Sequence, residues 1–81
     1  MSIPVEITQR NLIGDRVKLA RHKSNPKVTQ TDLLARLAVR GIELDKTSIS
    51  KIEAKTRPVS DIELVAIAEA LGVSVMWLLE K

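Results

Sequence analysis

Signals for the start of a helix recur along the chain and predict a fold made of short helices. A Ser or Thr followed three residues later by a carboxylate forms a capping box, because each side chain then binds a free N–H at the helix start. Two such pairs are present: Thr29 with Asp32, and Ser60 with Glu63. Residues of the N-cap type also precede three other apolar segments: Asn11, Asp45 and Ser74.

Apolar side chains at helical spacing follow these caps and predict five helices. Their expected ranges are 12–23, 30–39, 46–54, 61–71 and 75–80, with Gly41 and Gly72 ending the second and fourth. The inward-facing residues are expected to be Leu12, Ile13, Val17 and Ala20; Leu33, Leu34, Leu37 and Ala38; Ile49 and Ile52; and Ile62, Val65, Ala66, Ala68 and Leu71. Residues 1–8 are expected to form a flexible N-terminal arm.

Composition supports this fold class and excludes several kinds of site. The chain has one Trp and no Phe or Tyr, so its core consists of aliphatic side chains, which favours helix-on-helix packing. It has no Cys, which excludes disulfides and thiolate metal sites. No apolar run reaches the ~18 residues of a membrane span, and the N-terminus lacks the order of a signal peptide. We therefore expect an all-α, compact five-helix bundle, a single domain over residues 1–81, in the cytoplasm.

Charge is distributed unevenly and points to a polyanionic partner. Residues 1–57 contain twelve Lys or Arg against six Asp or Glu, whereas residues 58–81 contain one against four. The third predicted helix divides in the same way, with Ile49 and Ile52 on its inner edge and short polar or basic side chains outside. A helix that reads DNA in the major groove requires this division.

Several motifs, in this order and spacing, resemble the Cro and phage-repressor (XRE-type) helix-turn-helix family. They are Ile13-Gly14-Asp15-Arg16-Val17, Arg21, Thr29-Gln30 with Leu33, Ile49-Ser50-Lys51-Ile52-Glu53, and Ala70-Leu71-Gly72-Val73-Ser74 with Leu78-Leu79. The resemblance covers about residues 12–79 and implies a lambda-repressor-like domain. Its second and third helices would form the DNA-binding unit, and its ligand would be double-stranded DNA.

The resemblance also implies roles for individual residues. Base-reading positions fall on Lys46, Thr47 and Lys51, and we add Ser50 from its place on the outer face of the same helix. Phosphate contacts fall on Gln30, Lys55 and Arg57, with Ser48 as a further candidate. A structural ion pair between the first and third helices falls on Arg21 and Glu53.

Three departures from the family pattern leave the direction of the third helix open. The link between the second and third helices is extended, about five residues longer than the family's tight turn. Leu34 stands where a small residue usually separates those two helices. Ala54-Lys55 replaces the Asn-Gly that commonly follows the glutamate, which removes one expected phosphate donor.

These residues also allow other interpretations. Lys46, Lys51, Lys55 and Arg57 could form only a solvated face. His22, the single histidine, is expected to face solvent or to cap its helix, since no second His, no Cys and no carboxylate cluster accompanies it. No catalytic constellation, metal site or cofactor site is found, so an enzyme is not expected.

The C-terminal segment 75–79 is apolar throughout, more than one short helix can bury on one side. Trp77 and Leu78 could close the core, or Met76, Trp77 and Leu79 could form the contact of a homodimer. A dimer would match a palindromic operator and would act as a transcriptional repressor. The alternative is an antitoxin-like module that binds a partner protein through this C-terminal helix.

Overall fold

The computed structural model describes residues 9–80, and within this range it consists of five α-helices and no strand. The helices are α1 (Gly14–Lys23), α2 (Gln30–Val39), α3 (Lys46–Glu53), α4 (Asp61–Leu71) and α5 (Val75–Leu78). The predicted all-α architecture of five helices is confirmed. The predicted arm, residues 1–8, lies outside the described residues. Within residues 9–80, no helix has the length and apolar character needed to cross a membrane.

The two capping boxes set the starts of α2 and α4 where the sequence predicts them. The Thr29 hydroxyl accepts the Asp32 N–H at 3.0 Å, and the Thr29 N–H donates to the Asp32 carboxylate at 2.9 Å. Ser60 and Glu63 exchange the same two bonds. These bonds satisfy N–H groups that have no partner inside the helix, so the sequence signal determines the boundary.

Asn11 acts differently from the prediction, and α1 begins at Gly14 rather than at Leu12. The side-chain oxygen of Asn11 accepts the Gly14 N–H at 2.9 Å, while the side-chain NH₂ donates to the backbone carbonyls of Ile52 (3.1 Å) and Arg57 (2.8 Å). Asn11 therefore ties the start of α1 to the end of α3 and to the loop that follows. Leu12 stays in the irregular segment and is 67% exposed, so its predicted burial is wrong.

The core is aliphatic, as the composition indicates. Its fully buried side chains are Val17, Leu33, Leu37, Ile49, Ile52, Ile67 and Leu78. Helix α4 packs against α1, α2 and α5, and α3 packs against α1 and α2. The five helices thus enclose one continuous cluster, with α3 at its edge.

The predicted inner faces of α2 and α4 are partly wrong. Ala38, Ile62 and Val65 are exposed, Ile62 by 70%, and Leu34 is only half-buried. Ile67, which the prediction omits, is fully buried instead. The sequence of α4 is apolar on most of its circumference, so periodicity alone cannot select the face that the other helices cover.

The extended link, residues 40–45, leads from α2 to α3 along the core. Gly41 adopts φ +80°, and the Ile42 N–H donates to the Leu37 carbonyl at 3.0 Å, which closes the end of α2. Ile42 and Leu44 are half-buried against the core while Glu43 is exposed, as their alternation predicts. The link is therefore packed along its length and holds the start of α3 in place.

Candidate nucleic-acid interface

Helix α3 presents its polar face to solvent. The Asp45 carboxylate accepts the Ser48 N–H at 2.7 Å, and this bond is the main cause that lowers the pKa of Asp45 below its ordinary value. Ile49 and Ile52 are fully buried. The four predicted base-reading side chains are all exposed: Lys46, Thr47, Ser50 and Lys51. Helix α3 is thus anchored by one edge and open on the other.

A buried ion pair fixes the angle between α1 and α3. The Arg21 guanidinium donates to both Glu53 oxygens, from Nε at 2.6 Å and from Nη2 at 2.8 Å. Its third bond, from Nη1 to the Val28 carbonyl, measures 3.1 Å. Both side chains of the pair are less than a tenth exposed. The planar fork of arginine matches a carboxylate in two places, so this contact sets orientation as well as distance.

Gln30 extends this polar network to the start of α2. Its amide nitrogen lies 3.3 Å from the Glu53 carboxylate, and its amide oxygen accepts the Ser50 hydroxyl at 3.4 Å. The predicted phosphate contact Gln30 and the predicted base reader Ser50 are therefore hydrogen-bonded to each other. The side chain at the start of α2 is thus connected to the polar face of α3.

The two basic residues after α3 are held by carboxylates. Lys55 Nζ lies 2.9 Å from Asp15, whose side chain is 73% exposed. Arg57 donates to both Glu63 oxygens at 3.2 and 3.3 Å. Burial raises the pKa of Glu63, but the hydrogen bonds from Arg57 and from the Ser60 N–H outweigh it and hold that pKa below its ordinary value. The exposed Asp15 is the easier partner to replace, because surface ion pairs contribute little to stability.

These elements coincide with a known family. The family model described as Helix-turn-helix matches residues 27–78, more than half of the chain, and covers α2 to α5. The chain belongs to the XRE-type helix-turn-helix family. No curated protein and no solved structure matches the chain. The protein is therefore a DNA-binding regulator in the general sense, with α2 and α3 as its helix-turn-helix unit.

The backbone of Lys55 explains how this helix-turn-helix protein ends α3 without the usual glycine. Lys55 has φ +63°, its N–H donates to the Ile52 carbonyl at 3.0 Å, and the Thr56 N–H donates to the Lys51 carbonyl at 2.9 Å. This is the pattern that glycine serves at most helix ends. Lysine takes the left-handed conformation here, at a cost of roughly 1–2 kcal/mol.

Replacing Lys55 by glycine is expected to separate stability from DNA affinity. The variant Lys55→Gly should unfold at higher urea concentration, with a gain of about 1 kcal/mol, because glycine accepts a positive φ without strain. Its affinity for DNA should fall, since a cation beside the end of α3 is lost. Lys55→Ala is the control: it removes the same charge but keeps the strain, so it should gain no stability. Equal stability of the two variants would contradict this account.

Sequence reasoning missed one positioning residue, and it left two interpretations of the C-terminal helix open. The side-chain amide of Asn11 donates to the Arg57 carbonyl and so holds the loop after α3, and only the side-chain chemistry of Asn11 could have signalled this. Trp77 is half-buried, with the Arg16 guanidinium 4.7 Å above its ring. Leu79 is half-buried beside Leu12 in a shallow apolar groove. Of the three predicted dimer residues only Met76 is largely exposed, at 63%.

Proposed function

We propose that the protein is a transcriptional repressor that binds a palindromic operator as a dimer and reads the major groove with α3. The observation that carries the proposal is the division of α3: Ile49 and Ile52 are fully buried while Lys46, Thr47 and Lys51 point to solvent. Within the described residues, these three exposed side chains make no hydrogen bond to the rest of the fold. They remain available for base edges, and DNA as ligand is consistent with a cytoplasmic location.

The proposal assigns two kinds of contact. Lys46, Thr47 and Lys51, with Ser50, contact bases and discriminate between sequences, each good base contact contributing on the order of 1–3 kcal/mol. The phosphate contacts are Gln30, Ser48, Lys55 and Arg57. They position the domain without reading sequence. Gln30 is connected to both kinds of contact, because its amide oxygen accepts the hydroxyl of Ser50 on α3.

Replacing one base-reading residue and one phosphate-contact residue with alanine should change DNA binding in two different ways. Thr47→Ala should reduce the preference for the operator over other duplexes by about tenfold, because a base contact is lost. Arg57→Ala should weaken all duplexes alike and flatten the salt dependence by about one unit of slope, because one released counterion is lost. Fluorescence anisotropy across a salt series measures both, with circular dichroism as a check on folding. If the two variants behaved alike, the assignment of roles would be wrong.

The dimer is the second part of the proposal. Two copies of α3 about 34 Å apart would enter successive major grooves on one face of the duplex. Met76, Trp77 and Leu79 are the proposed contact, with Met76 as its exposed centre. Sedimentation at high micromolar concentration, with and without operator DNA, tests it. A monomer in both conditions would exclude the dimer and leave DNA binding itself intact.

The experiment that tests the function compares the DNA upstream of the protein's own gene with a shuffled duplex of equal composition. A preference of a hundredfold or more for the native duplex supports the repressor. Equal and steeply salt-dependent binding would reduce the proposal to a basic surface without sequence readout. Binding to neither would favour the antitoxin-like module, which would hold a partner protein through α5.

A further inference from the structure

Basic side chains follow the outer face of α1 and continue beyond the helix-turn-helix unit. Lys18 and His22 are both exposed and stand one turn apart, and they line one shallow groove together with Asp15 and Leu19. Lys55, at the end of α3, reaches Asp15 at one end of this groove. At the other end, Lys27 is exposed in the loop just before α2. We call Lys18, His22 and Lys27 the α1 basic stripe.

The charges around His22 show that the stripe holds more positive charge than nearby carboxylates balance. Partial loss of hydration lowers the pKa of His22, and the positive charges of Lys27, Arg21 and Lys18 lower it further. Among residues 9–80, the carboxylate that raises this pKa is Glu53, whose oxygens are already bonded to Arg21. Cations from α1 and from the following loop therefore converge on an exposed imidazole, the arrangement expected where an anion binds.

We propose that the α1 basic stripe is a second line of contact for the phosphodiester backbone of DNA, and that His22 binds its phosphate as an imidazolium, so that operator binding takes up a proton. This inference rests on the proposed function, and it adds three residues and a pH dependence to it. The ligand is the backbone of the same duplex whose bases α3 reads.

The dimensions of the stripe fit a DNA strand. Lys18 and His22 are four residues apart on one helix, a rise of about 6 Å. One strand of B-DNA presents a phosphate every 3.4 Å along the axis, so about two phosphates pass in that length. Lys55 at one end of the groove is already a proposed phosphate contact, so the stripe continues that interface rather than forming a separate site.

A phosphate beside His22 reverses the electrostatics of the free protein. Without DNA, the neighbouring cations favour the neutral imidazole. With DNA, a phosphate within hydrogen-bond reach favours the charged form, so the pKa of His22 rises on binding. Proton uptake linked to binding makes affinity increase as the pH falls, by tenfold for each unit of pKa change. The carboxyl groups of Asp32, Asp45 and Glu63 have pKa values below their ordinary range and do not titrate between pH 5.5 and 7.5.

The first test measures, at pH 7.5, how much the two lysines of the stripe contribute to DNA binding. The double variant Lys18→Gln/Lys27→Gln should reduce the slope of log affinity against log salt by about 2, since each phosphate contact contributes about 0.9. Arg16→Gln is the matched control: it removes a cation from the same helix, but one that does not line this groove and is stacked on Trp77 instead. The control should leave the slope unchanged, and thermal melts verify that all variants are folded.

The second test measures how DNA affinity depends on pH. Wild-type protein should bind its duplex roughly threefold to tenfold more tightly at pH 5.5 than at pH 7.5, and His22→Gln should remove this difference. A pH dependence that persists in His22→Gln belongs to another group and overturns the inference. An unchanged salt slope in the double variant overturns it as well.

The two proposals fail in distinguishable ways. If wild-type protein prefers its operator and Thr47→Ala loses that preference, the proposed function stands whatever the stripe variants do. If wild-type protein binds no duplex at all, both proposals are wrong. Loss of slope in the double variant with an unchanged base preference is the result that we expect.

Discussion

Replacing Glu53 with leucine is expected to lower the free energy of unfolding by about 3–5 kcal/mol, the largest effect of any single change considered. The Arg21 guanidinium would stay in a site where its side chain is almost inaccessible to water, with one bond left, to the Val28 carbonyl. Gln30 would lose its bond to the same carboxylate. In a domain of this size, such a loss lowers the melting temperature by more than 10 °C.

A double-mutant cycle separates two contributions to the free energy of unfolding: the penalty for one buried unpaired charge and the interaction between Arg21 and Glu53. Arg21→Met/Glu53→Leu should recover about 2 kcal/mol of the loss, because two apolar side chains of similar volume replace a buried pair without leaving a charge. Recovery is incomplete because the Val28 carbonyl loses its donor. Urea unfolding of the four proteins gives the coupling energy. Losses that simply add would show that the two residues act independently, contrary to their bidentate contact.

Replacing Gly14 with alanine should have the second largest effect, a loss of about 3 kcal/mol. A Cβ atom at this position would lie 2.4 Å from the Ile52 carbonyl oxygen and 2.9 Å from that of Glu53. Both contacts are with backbone at the end of α3, so the two helices would have to separate. The affinity for DNA should fall in addition to the stability, because the end of α3 carries the Glu53 network.

Gly41→Ala is the matched control for this steric argument. Gly41 has φ +80° but no atom within 4 Å of the position that a Cβ would take. Its replacement should therefore cost only the strain of a left-handed residue, roughly 1–2 kcal/mol, and leave DNA affinity unchanged. Urea unfolding and anisotropy of the two variants provide the comparison. A Gly14→Ala variant as stable as Gly41→Ala would show that α1 and α3 have room to adjust.

The elements that could be predicted are those whose sequence signals lie within a few residues of one another. The boundaries of α2 and α4 follow from Thr29 with Asp32 and from Ser60 with Glu63, because a capping box acts within four residues. The exposure of Lys46 and Thr47 could also be predicted. The apolar edge of α3 consists of Ile49 and Ile52 alone, so only one face of the helix can pack against the core.

Other features depend on contacts between segments distant in sequence. The buried face of α4 could not be chosen correctly, because Ile62 and Ile67 are equally apolar and only the packing of α1, α2 and α5 distinguishes them. The ion pair of Lys55 with Asp15 joins residues 40 positions apart, and the bridge that Asn11 makes to the Arg57 loop joins residues 46 positions apart. Periodicity and charge counts carry no information on such pairs. The DNA contacts themselves stay predictions.

The outer face of α3 has a consequence for how this regulator could change over time. Lys46, Thr47 and Lys51 are exposed, and their side chains make no hydrogen bond in the described part of the fold. Under the proposed function, a substitution there would therefore alter recognition at almost no cost in folding. The residues that orient the helix, Arg21 and Glu53, form a separate buried pair at its C-terminal end. A new operator could thus be acquired by exchanging a few surface side chains, and a laboratory selection restricted to those three positions would sample specificities in a scaffold that stays intact.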